Sequence, residues 1–300
     1  MNTVTFAKTV GLTDYEEPML LESKKDDWEY TKVFSIGKMD KGQWQTYQHT
    51  GFGAANVTDE LEPVLFEPAF ELDPITFTAV KYTKGFILSE ELEDDNTQIS
   101  GLLGKWAGSI GRGHKYAKNI TTASIFNNAF TASSAYYGWD GVELCGSHTT
   151  NSGQTIDNDL GPSSLDWDTI WDMAKYFEYQ IYDEAGLPYT DKPKYLLTHP
   201  SNMDTVMAIK ESPGKYNDTD LHANTLKAVF EPIYCRLLTS TTAFFMLGEQ
   251  AQSSLHLRQR KPLTTKWNDA FENIGRKCRT HQRFSYGFSD YRCVVGNPGA

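Results

Sequence analysis

The sequence has few cysteines and none in a close pair. Cys145, Cys235, Cys278 and Cys293 stand apart, without a Cys-x-x-Cys motif. The seven histidines are scattered without the spacing of metal ligands. Small secreted scaffolds need paired cysteines, and a structural zinc site needs four ligands. The sequence therefore predicts a protein of a reducing compartment, with no disulfide framework, no metal and no cofactor.

Long apolar runs are missing too. No stretch approaches the ~20 apolar residues that a membrane helix needs. The first 18 residues, MNTVTFAKTVGLTDYEEP, have neither the charged nor the apolar region of a leader peptide. We therefore expect no leader, no membrane span and no membrane partner.

Bases are scarce before residue 255. The formal net charge is −11, and residues 255–300 contribute +6 from nine Lys or Arg and three Asp or Glu, which leaves −17 for the first 254 residues. Proteins that bind nucleic acid neutralise phosphates with clustered Lys and Arg. The overall balance argues against a general nucleic-acid binder.

Two short regions carry opposite charge. Residues 54–80 contain no base and six acids, which are Asp59, Glu60, Glu62, Glu67, Glu71 and Asp73. The bases of interest in the tail are Arg258, Arg260, Lys261, Arg276, Lys277 and Arg279. Composition alone favours two solvated faces, because charge runs are usually exposed to water.

Two strand-like regions surround an irregular segment. Residues 31–50 and 75–88 are rich in β-branched and aromatic residues, which favour strands. The segment between them holds two glycines and three prolines, so it cannot form a long regular element. Long irregular loops in compact domains are usually functional. We expect a projecting arm with this segment at its tip.

A long helix is predicted after Ser89. Apolar residues recur every three to four positions to about residue 129, and Ser89 is the expected N-cap. The segment contains five glycines, each costing about 1 kcal/mol in a helix interior. Among them, Gly104 and Gly108 are the candidates for close packing or for a bend.

Residues 160–254 have the mixed rhythm of an α/β unit. SSLDWDTIWDMAKYFEYQIYDEAG predicts a helix with a Ser cap and Gly186 as its stop. KYLLTH predicts a buried strand, PSNMDTVMAIK a short helix and YCRLLTSTTAFFML another strand. From residue 255 onward the sequence predicts strands and turns.

The stretch GWDGVELCGSHTT, residues 138–150, resembles a reactive site at first sight. Cys145 and His148 supply at most two metal ligands, and Ser147 beside His148 rarely reaches the geometry that a base needs. The pair Asp140 and Gly141 instead favours a hairpin turn, because both central positions prefer positive φ. The residues therefore predict a turn. GSIGRGHK, from residue 108, lacks the spacing of a phosphate loop.

Four motifs in order resemble the major capsid proteins of tailed bacteriophages, whose HK-ninety-seven-type shell fold is shared with encapsulin nanocompartments. They are DGVELCGSHTT, DEAGLPYTDKPKYLLTHPSNMDTVMAIK, NTLKAVFEPIYC and FSYGFSDYRCVVGNPG. The resemblance covers the chain from about residue 30 to its end. It implies a conformational role for Cys145 and His148, and no catalytic residue.

The resemblance implies an α+β fold with five parts. These are an N-terminal arm (1–30), an extended β-hairpin loop (31–88), a peripheral domain with the spine helix (89–159), an α/β axial domain (160–254), and peripheral-domain strands with a closing segment (255–300). The loop would reach over a neighbouring subunit. The six acids of the loop and the six tail bases are then expected to meet between subunits. No lysine lies in residues 54–80, so a covalent cross-link through a loop lysine is not expected.

The implied function is that of a structural subunit. Copies would form hexamers and pentamers of an icosahedral head, assembled in the host bacterial cytoplasm around double-stranded DNA that they contact weakly. A portal, and a scaffolding, protease or decoration protein, are the expected other partners. Two alternatives stay open at this point. One is an encapsulin-like shell around a cargo enzyme, and the other is a cytosolic hydrolase centred on Cys145, Ser147 and His148.

Overall fold

The computed structural model describes residues 19–22, 29–68, 70–89, 91, 99–131, 136–214, 223–270 and 275–300. Besides a helical turn at residues 19–22 and the 3-10 helices Pro200–Asn202 and Thr225–Ala228, the helices are α1 (Tyr30–Val33), α2 (Ile99–Asn127), α3 (Trp167–Tyr179), α4 (Met203–Glu211) and α5 (Ala251–Ser254). The strands are β1 (Ser35–Lys38), β2 (Gln43–Thr46), β3 (Ile75–Thr78), β4 (Val80–Ser89), β5 (Ser147–Thr149), β6 (Thr155–Asp157), β7 (Pro193–Thr198), β8 (Glu231–Tyr234), β9 (Phe244–Gly248), β10 (Leu255–Ala270), β11 (Gly275–Phe288) and β12 (Val294–Asn297). Helix and sheet are mixed along the chain, as the sequence predicts.

The longest sheet has the strand order β1-β10-β11-β4. Its centre is the antiparallel pair of β10 and β11, and β4 adds to β11 antiparallel while β1 adds to β10 parallel. The sequence predicts strands in this tail without indicating their length. Both faces of β10 carry polar residues, so a simple apolar alternation is missing.

A smaller antiparallel pair, β2 and β3, carries the irregular segment. The pairing extends beyond the strands through the backbone hydrogen bonds from Thr50 N to Phe70 O at 3.0 Å and from Leu72 N to Gln48 O at 2.8 Å. Residues 31–88 form more than a two-stranded hairpin. Their first and last strands, β1 and β4, pair with β10 and β11 of the long sheet. The predicted domain boundaries stay a prediction.

The spine helix α2 crosses one face of the long sheet. His114 Nε2 lies 2.7 Å from Thr280 Oγ1, and Gln282 donates to the His114 carbonyl oxygen at 2.9 Å. Ser89 as the N-cap of this helix is wrong, since Ser89 is the last residue of β4 and pairs with Gly275 of β11. A strand pairing almost two hundred residues away in sequence overrides the local cap signal.

A second sheet has the order β12-β9-β7-β8 and is buried on both faces. Successive residues of β9 belong to two different apolar clusters. Phe244 packs in the cluster of Phe177, whereas Phe245 packs in the cluster of Phe126. Side chains alternate across a strand, so one cluster fills each face. The short continuous apolar run FFML is the sequence signature of this arrangement.

Helix α3 covers one side of the second sheet. It begins at Trp167 after Asp166, whose Oδ1 accepts from Thr169 N at 2.8 Å, so the predicted Ser cap is wrong. The helix ends at Tyr179, so the predicted stop at Gly186 is wrong; Gly186 lies in a later turn with φ of +87°. The strand at KYLLTH and the helix α4 after it are confirmed. Among the described residues, no helix has the length and apolarity to cross a membrane.

Candidate functional site

The Asp140–Gly141 turn closes a short loop. Gly141 has φ of +74°, and its N–H donates to the Gly138 carbonyl oxygen at 3.2 Å. Gly138 N–H donates to Val142 O at 2.8 Å. The described residues beside the turn are not strands, and the antiparallel pair of this region is β5 with β6. The turn at Asp140–Gly141 is predicted correctly, but the hairpin expected around it is wrong, because no strands flank this turn.

The turn holds a buried histidine. Nδ1 of His148 lies 2.6 Å from Oδ2 of Asp140, and both side chains are largely buried. The imidazole stacks on the ring of Tyr291, with centroids 3.5 Å apart and an interplanar angle of 4°. The histidine therefore joins the turn to the closing segment of the chain.

Cys145, Ser147 and His148 do not form a nucleophile with its base. His148 uses Nδ1 for Asp140, and its Nε2 has no hydrogen-bond partner among the described residues. Cys145 is buried, and burial raises the pKa of its thiol well above the ordinary value. A nucleophilic cysteine needs a lowered pKa. The geometry does not support the hydrolase alternative.

A buried ionic cluster lies beside this histidine. The guanidinium of Arg292 contacts the Glu184 carboxylate, donates from Nη1 to Asp290 Oδ2 at 3.1 Å, and donates from Nε to Tyr182 O at 2.8 Å. Burial raises the pKa of Asp290 to about 6 and lowers the pKa of Arg292. The sequence does not predict this pairing of Arg292 with Glu184, because residues 108 positions apart carry no local pairing signal.

This cluster is where three parts of the chain meet. Gln48, in the arm just after β2, donates to Ser289 O at 3.3 Å. Glu184 accepts from Asn151 N at 2.9 Å through Oε2. A cleft of about 320 Å³ is lined by Gln48, Glu184, Asp290 and Arg292 with neighbouring residues. The base of the arm, the turn after α3 and the closing segment are thus held by one polar network.

The irregular segment projects from the arm. Every described residue from 51 to 70, here named the tip, is exposed. Glu62 and Glu67 accept hydrogen bonds from backbone N–H groups of the tip itself, those of Asp59 and Gly53. Of the predicted contact residues, Asp59, Glu60, Glu62 and Glu67 lie in the tip, and Glu71 and Asp73 lie just after it.

The predicted basic residues lie on β10 and β11, with different surroundings. Arg258 is half-buried, and its guanidinium carbon lies 4.5 Å from the centroid of the Trp44 ring. Arg260, Lys261 and Arg279 are exposed, while Arg276 and Lys277 are intermediate. The guanidinium of Arg258 therefore packs inside the base of the arm, on the ring of Trp44.

The spine glycines differ in their surroundings. A Cβ on Gly104 would meet no atom within 4 Å, and one on Gly108 would meet only Glu22 Cγ at 3.9 Å. A Cβ on Gly111 would overlap the backbone of Met19. Close packing inside the subunit therefore requires Gly111, not the two glycines selected from the sequence. A role for Gly104 and Gly108 in bending stays a prediction.

Metal ligation has no site in the part of the chain that the structure describes. Within those ranges, no group of three His, Cys, Asp or Glu side chains lies close enough to hold an ion. Two of the buried histidines instead form hydrogen bonds inside the fold. His114 contacts Thr280, and Nε2 of His256 lies 2.9 Å from the Ser289 hydroxyl.

Comparison with known proteins gives one family and one fold. A family model described as a phage capsid protein matches residues 73–297. None of the curated proteins matches the chain.

Three solved structures illustrate the structural similarity. The capsid of the cyanophage P-SCSP1u has 10% sequence identity and a TM-score of 0.61, over 92% of this chain and 89% of that chain. The capsid of an empty GTA particle has 11% identity and a TM-score of 0.57, over 89% and 88%. The virus-like particle from Pyrococcus furiosus has 9% identity and a TM-score of 0.55, over 95% and 98%. Identities this low show the fold alone, and the predicted fold class is confirmed.

Proposed function

This chain belongs to the phage capsid protein family, and we propose that its copies assemble into the closed icosahedral shell of a phage head around double-stranded DNA. The observation that carries the proposal is the family match, which spans three quarters of the chain. The proposed role is structural, as expected for a capsid protein.

The exposed tip supports self-assembly. Val57, Leu61 and Phe66 are 97%, 99% and 90% exposed in the single subunit. Soluble monomers rarely expose apolar residues in such a group, and an exposed apolar group usually marks an interaction surface. A subunit whose arm carries this tip is suited to a neighbour that covers it.

The proposal includes the finer arrangement expected from the sequence. Subunits form hexamers and pentamers, with the arm reaching over a neighbour and residues 160–254 clustered around the symmetry axes. The net charge of −11 keeps contact with packaged DNA weak. A portal, and a scaffolding, protease or decoration protein, complete the head, which assembles in the host bacterial cytoplasm.

Sedimentation and electron microscopy of the purified protein test the proposal. We expect fast-sedimenting, closed particles of uniform diameter that contain nuclease-protected DNA when they are isolated from infected cells. A protein that remains monomeric in the infected host and after purification, over a series of salt and pH conditions, would contradict the assembly of a shell.

A second shell function has one observation in its favour. The similarity to the virus-like particle from Pyrococcus furiosus covers nearly the whole of both chains. In that case the chain would form the encapsulin-like shell left open by the sequence, which would enclose a cargo enzyme. The contents of purified particles separate the two functions, because nuclease-protected DNA supports a phage head and a stoichiometric second protein without DNA supports a cargo compartment.

A further inference from the structure

The root of the arm is packed around one buried histidine. His256 lies near the start of β10 and is 5% exposed. The centroid of its imidazole lies 5.0 Å from that of the Trp44 ring on β2 and 5.9 Å from that of the Phe77 ring on β3. Trp44 and Phe77 also stack on each other, with centroids 5.2 Å apart. Both strands of the arm hairpin therefore contact the long sheet through His256.

Two glycines leave room for these contacts. A Cβ on Gly37 would overlap the guanidinium of Arg258, its partner across β1 and β10. A Cβ on Gly287, which pairs with His256 across β10 and β11, would overlap the Phe77 ring. The missing side chains at these two positions therefore form a socket in the long sheet, in which the arm hairpin packs.

The hydrogen bonds of His256 fix its protonation state. Nη2 of Arg258 lies 3.3 Å from Nδ1 of the imidazole, and the Ser289 hydroxyl oxygen lies 2.9 Å from Nε2. A guanidinium can only donate, so Nδ1 must be the unprotonated, accepting nitrogen. Nε2 then carries the ring proton and donates to Ser289, whose own hydroxyl donates to the Ser254 carbonyl oxygen at 3.2 Å. This arrangement therefore requires a neutral ring.

Arg258 connects the protonation of this ring to the arm. Its guanidinium carbon lies 4.5 Å from the centroid of the Trp44 ring, a cation–π contact. While Nδ1 of His256 accepts from Arg258, the guanidinium is held against both rings. A second proton, on Nδ1, would replace this hydrogen bond by two opposing N–H donors and would place two cations side by side. The guanidinium must then move away, which removes its contact with Trp44.

A charged His256 would have no carboxylate to neutralise it within the described part of the chain, where its polar side-chain contacts are Arg258 and Ser289. The surrounding strands contribute uncharged residues: Gly37 from β1, Trp44 from β2, Phe77 from β3 and Gly287 from β11. The cleft beside Ser289 holds the other titratable groups, which are His49, Asp183, Glu184, Tyr189, Asp290 and Arg292. Burial lowers the pKa of His256 to about 4, and the Arg258 cation adds to this lowering.

We propose that His256 is an acid-operated latch of the arm. The neutral ring holds Arg258 on Trp44 and so fixes the hairpin of β2 and β3 on the long sheet, and a proton taken up from solvent at Nδ1 releases this hairpin. Strands β1 and β4 stay paired with β10 and β11, so the movement is confined to the hairpin that carries the tip. The latch lies within one subunit and goes beyond the shell function, on which it does not depend.

Pulsed electron paramagnetic resonance on unassembled, full-length subunits measures the position of the arm. Spin labels are attached at Tyr47→Cys in the arm and at Tyr179→Cys on α3, where the native side chains are 45% and 59% exposed. All four native cysteines are buried, so the labels react at the two new thiols. We expect one distance between the labels from pH 7.5 to pH 6, and a second distance that grows in with a midpoint near pH 4.

Substitutions separate His256 from the general effects of acid. His256→Gln keeps an acceptor and a donor but does not titrate, so the second distance should be absent at pH 4. His256→Lys introduces a permanent cation and should show the second distance already at pH 7.5. Arg258→Gln removes the contact with Trp44 and should increase the second population at pH 7.5. The matched control is His114→Gln, because burial also lowers the pKa of His114 to about 4, but this histidine lies under α2. Its arm should move as in the wild type.

Three results would overturn the latch. They are a single, unchanged distance in the wild type below pH 4, an equal acid response in His256→Gln and the wild type, and a movement that appears only together with loss of the circular dichroism signal, which indicates global unfolding. If His256→Lys does not fold, the comparison of His256→Gln with His114→Gln at pH 4 decides. Because these measurements use unassembled subunits, failure of the latch leaves the shell function intact, and absence of particles leaves the latch testable.

Discussion

The side chains of Asp140 and His148 meet with Oδ2 and Nδ1 2.6 Å apart, inside the protein. Oδ1 of Asp140 also accepts from Val142 N at 3.2 Å, so one carboxylate holds both the turn and the histidine. The Asp-Gly sequence forms the turn, and the turn directs the aspartate toward His148. His148 in turn stacks on Tyr291 of the closing segment.

Replacing Asp140 with Ala should destabilise the subunit by about 1 to 3 kcal/mol, because a buried partner of His148 is removed. Asp140→Asn should cost less, since an amide oxygen can still accept a hydrogen bond. Urea unfolding of unassembled subunits measures the difference. Ser147→Ala is the control and should have little effect, because Ser147 is exposed. Equal stability of Asp140→Ala and the wild type would show that the contact contributes nothing.

The spine helix gives a comparison between two glycines. Gly111→Ala should destabilise the subunit by about 1 to 3 kcal/mol, because the new Cβ overlaps the backbone of Met19. Gly104→Ala should stabilise the helix by up to about 1 kcal/mol, because its Cβ would enter open space. Thermal unfolding of the two variants measures both effects. The opposite order of stability would contradict this description of the helix.

The buried pair of Arg292 and Glu184 should behave as a unit. Arg292→Met leaves the Glu184 carboxylate buried without its cation and should cost about 3 to 5 kcal/mol. Adding Glu184→Gln removes the unpaired charge and should recover part of the loss. A double-mutant cycle by chemical denaturation measures the coupling. Strictly additive losses would mean that the two side chains do not stabilise each other.

Burial of His114 predicts a pH dependence. Burial lowers the pKa of His114 to about 4 from an ordinary value near 6.5, so the fold favours the neutral ring. The folded state therefore has its full stability above pH 6.5, and stability is lost as the pH falls toward 4, because the unfolded chain takes up a proton on this histidine first. His114→Gln should therefore reduce the loss of stability between pH 7 and pH 5 by on the order of 1 to 2 kcal/mol.

The control for this pH effect is Asp290. Burial raises the pKa of Asp290 to about 6, so its contribution to stability falls as the pH rises from about 4 to 6, opposite to that of His114. Asp290→Asn should therefore make the loss of stability on acidification larger. Melting temperatures measured from pH 4.5 to 7.5 compare the two variants. Parallel curves for His114→Gln and the wild type would exclude His114 as the source.

Local patterns predict much of this fold. The helical period finds α2 and the existence of α3, although the predicted cap and stop of α3 are wrong. The family resemblance inferred from four motifs is confirmed by the match to residues 73–297. These signals come from neighbouring residues, whose side chains decide helix or strand locally.

Long-range contacts account for the errors. Ser89 resembles a cap, yet it continues β4 because β11 pairs with it. Gly111 resembles the other glycines of its helix, and only the position of Met19 makes its missing side chain necessary. Arg292 and Glu184 meet across 108 residues of sequence. A single sequence carries no local signal for any of these three relationships.

The most direct test of the whole account is a cryo-electron microscopy reconstruction of the assembled particle. We predict a closed icosahedral shell in which a neighbouring subunit covers residues 51–70 of each subunit, including Leu61 and Phe66. Open aggregates or isolated subunits would contradict the shell function. A closed shell whose tips lie in solvent would contradict the proposal that a neighbour covers the tip.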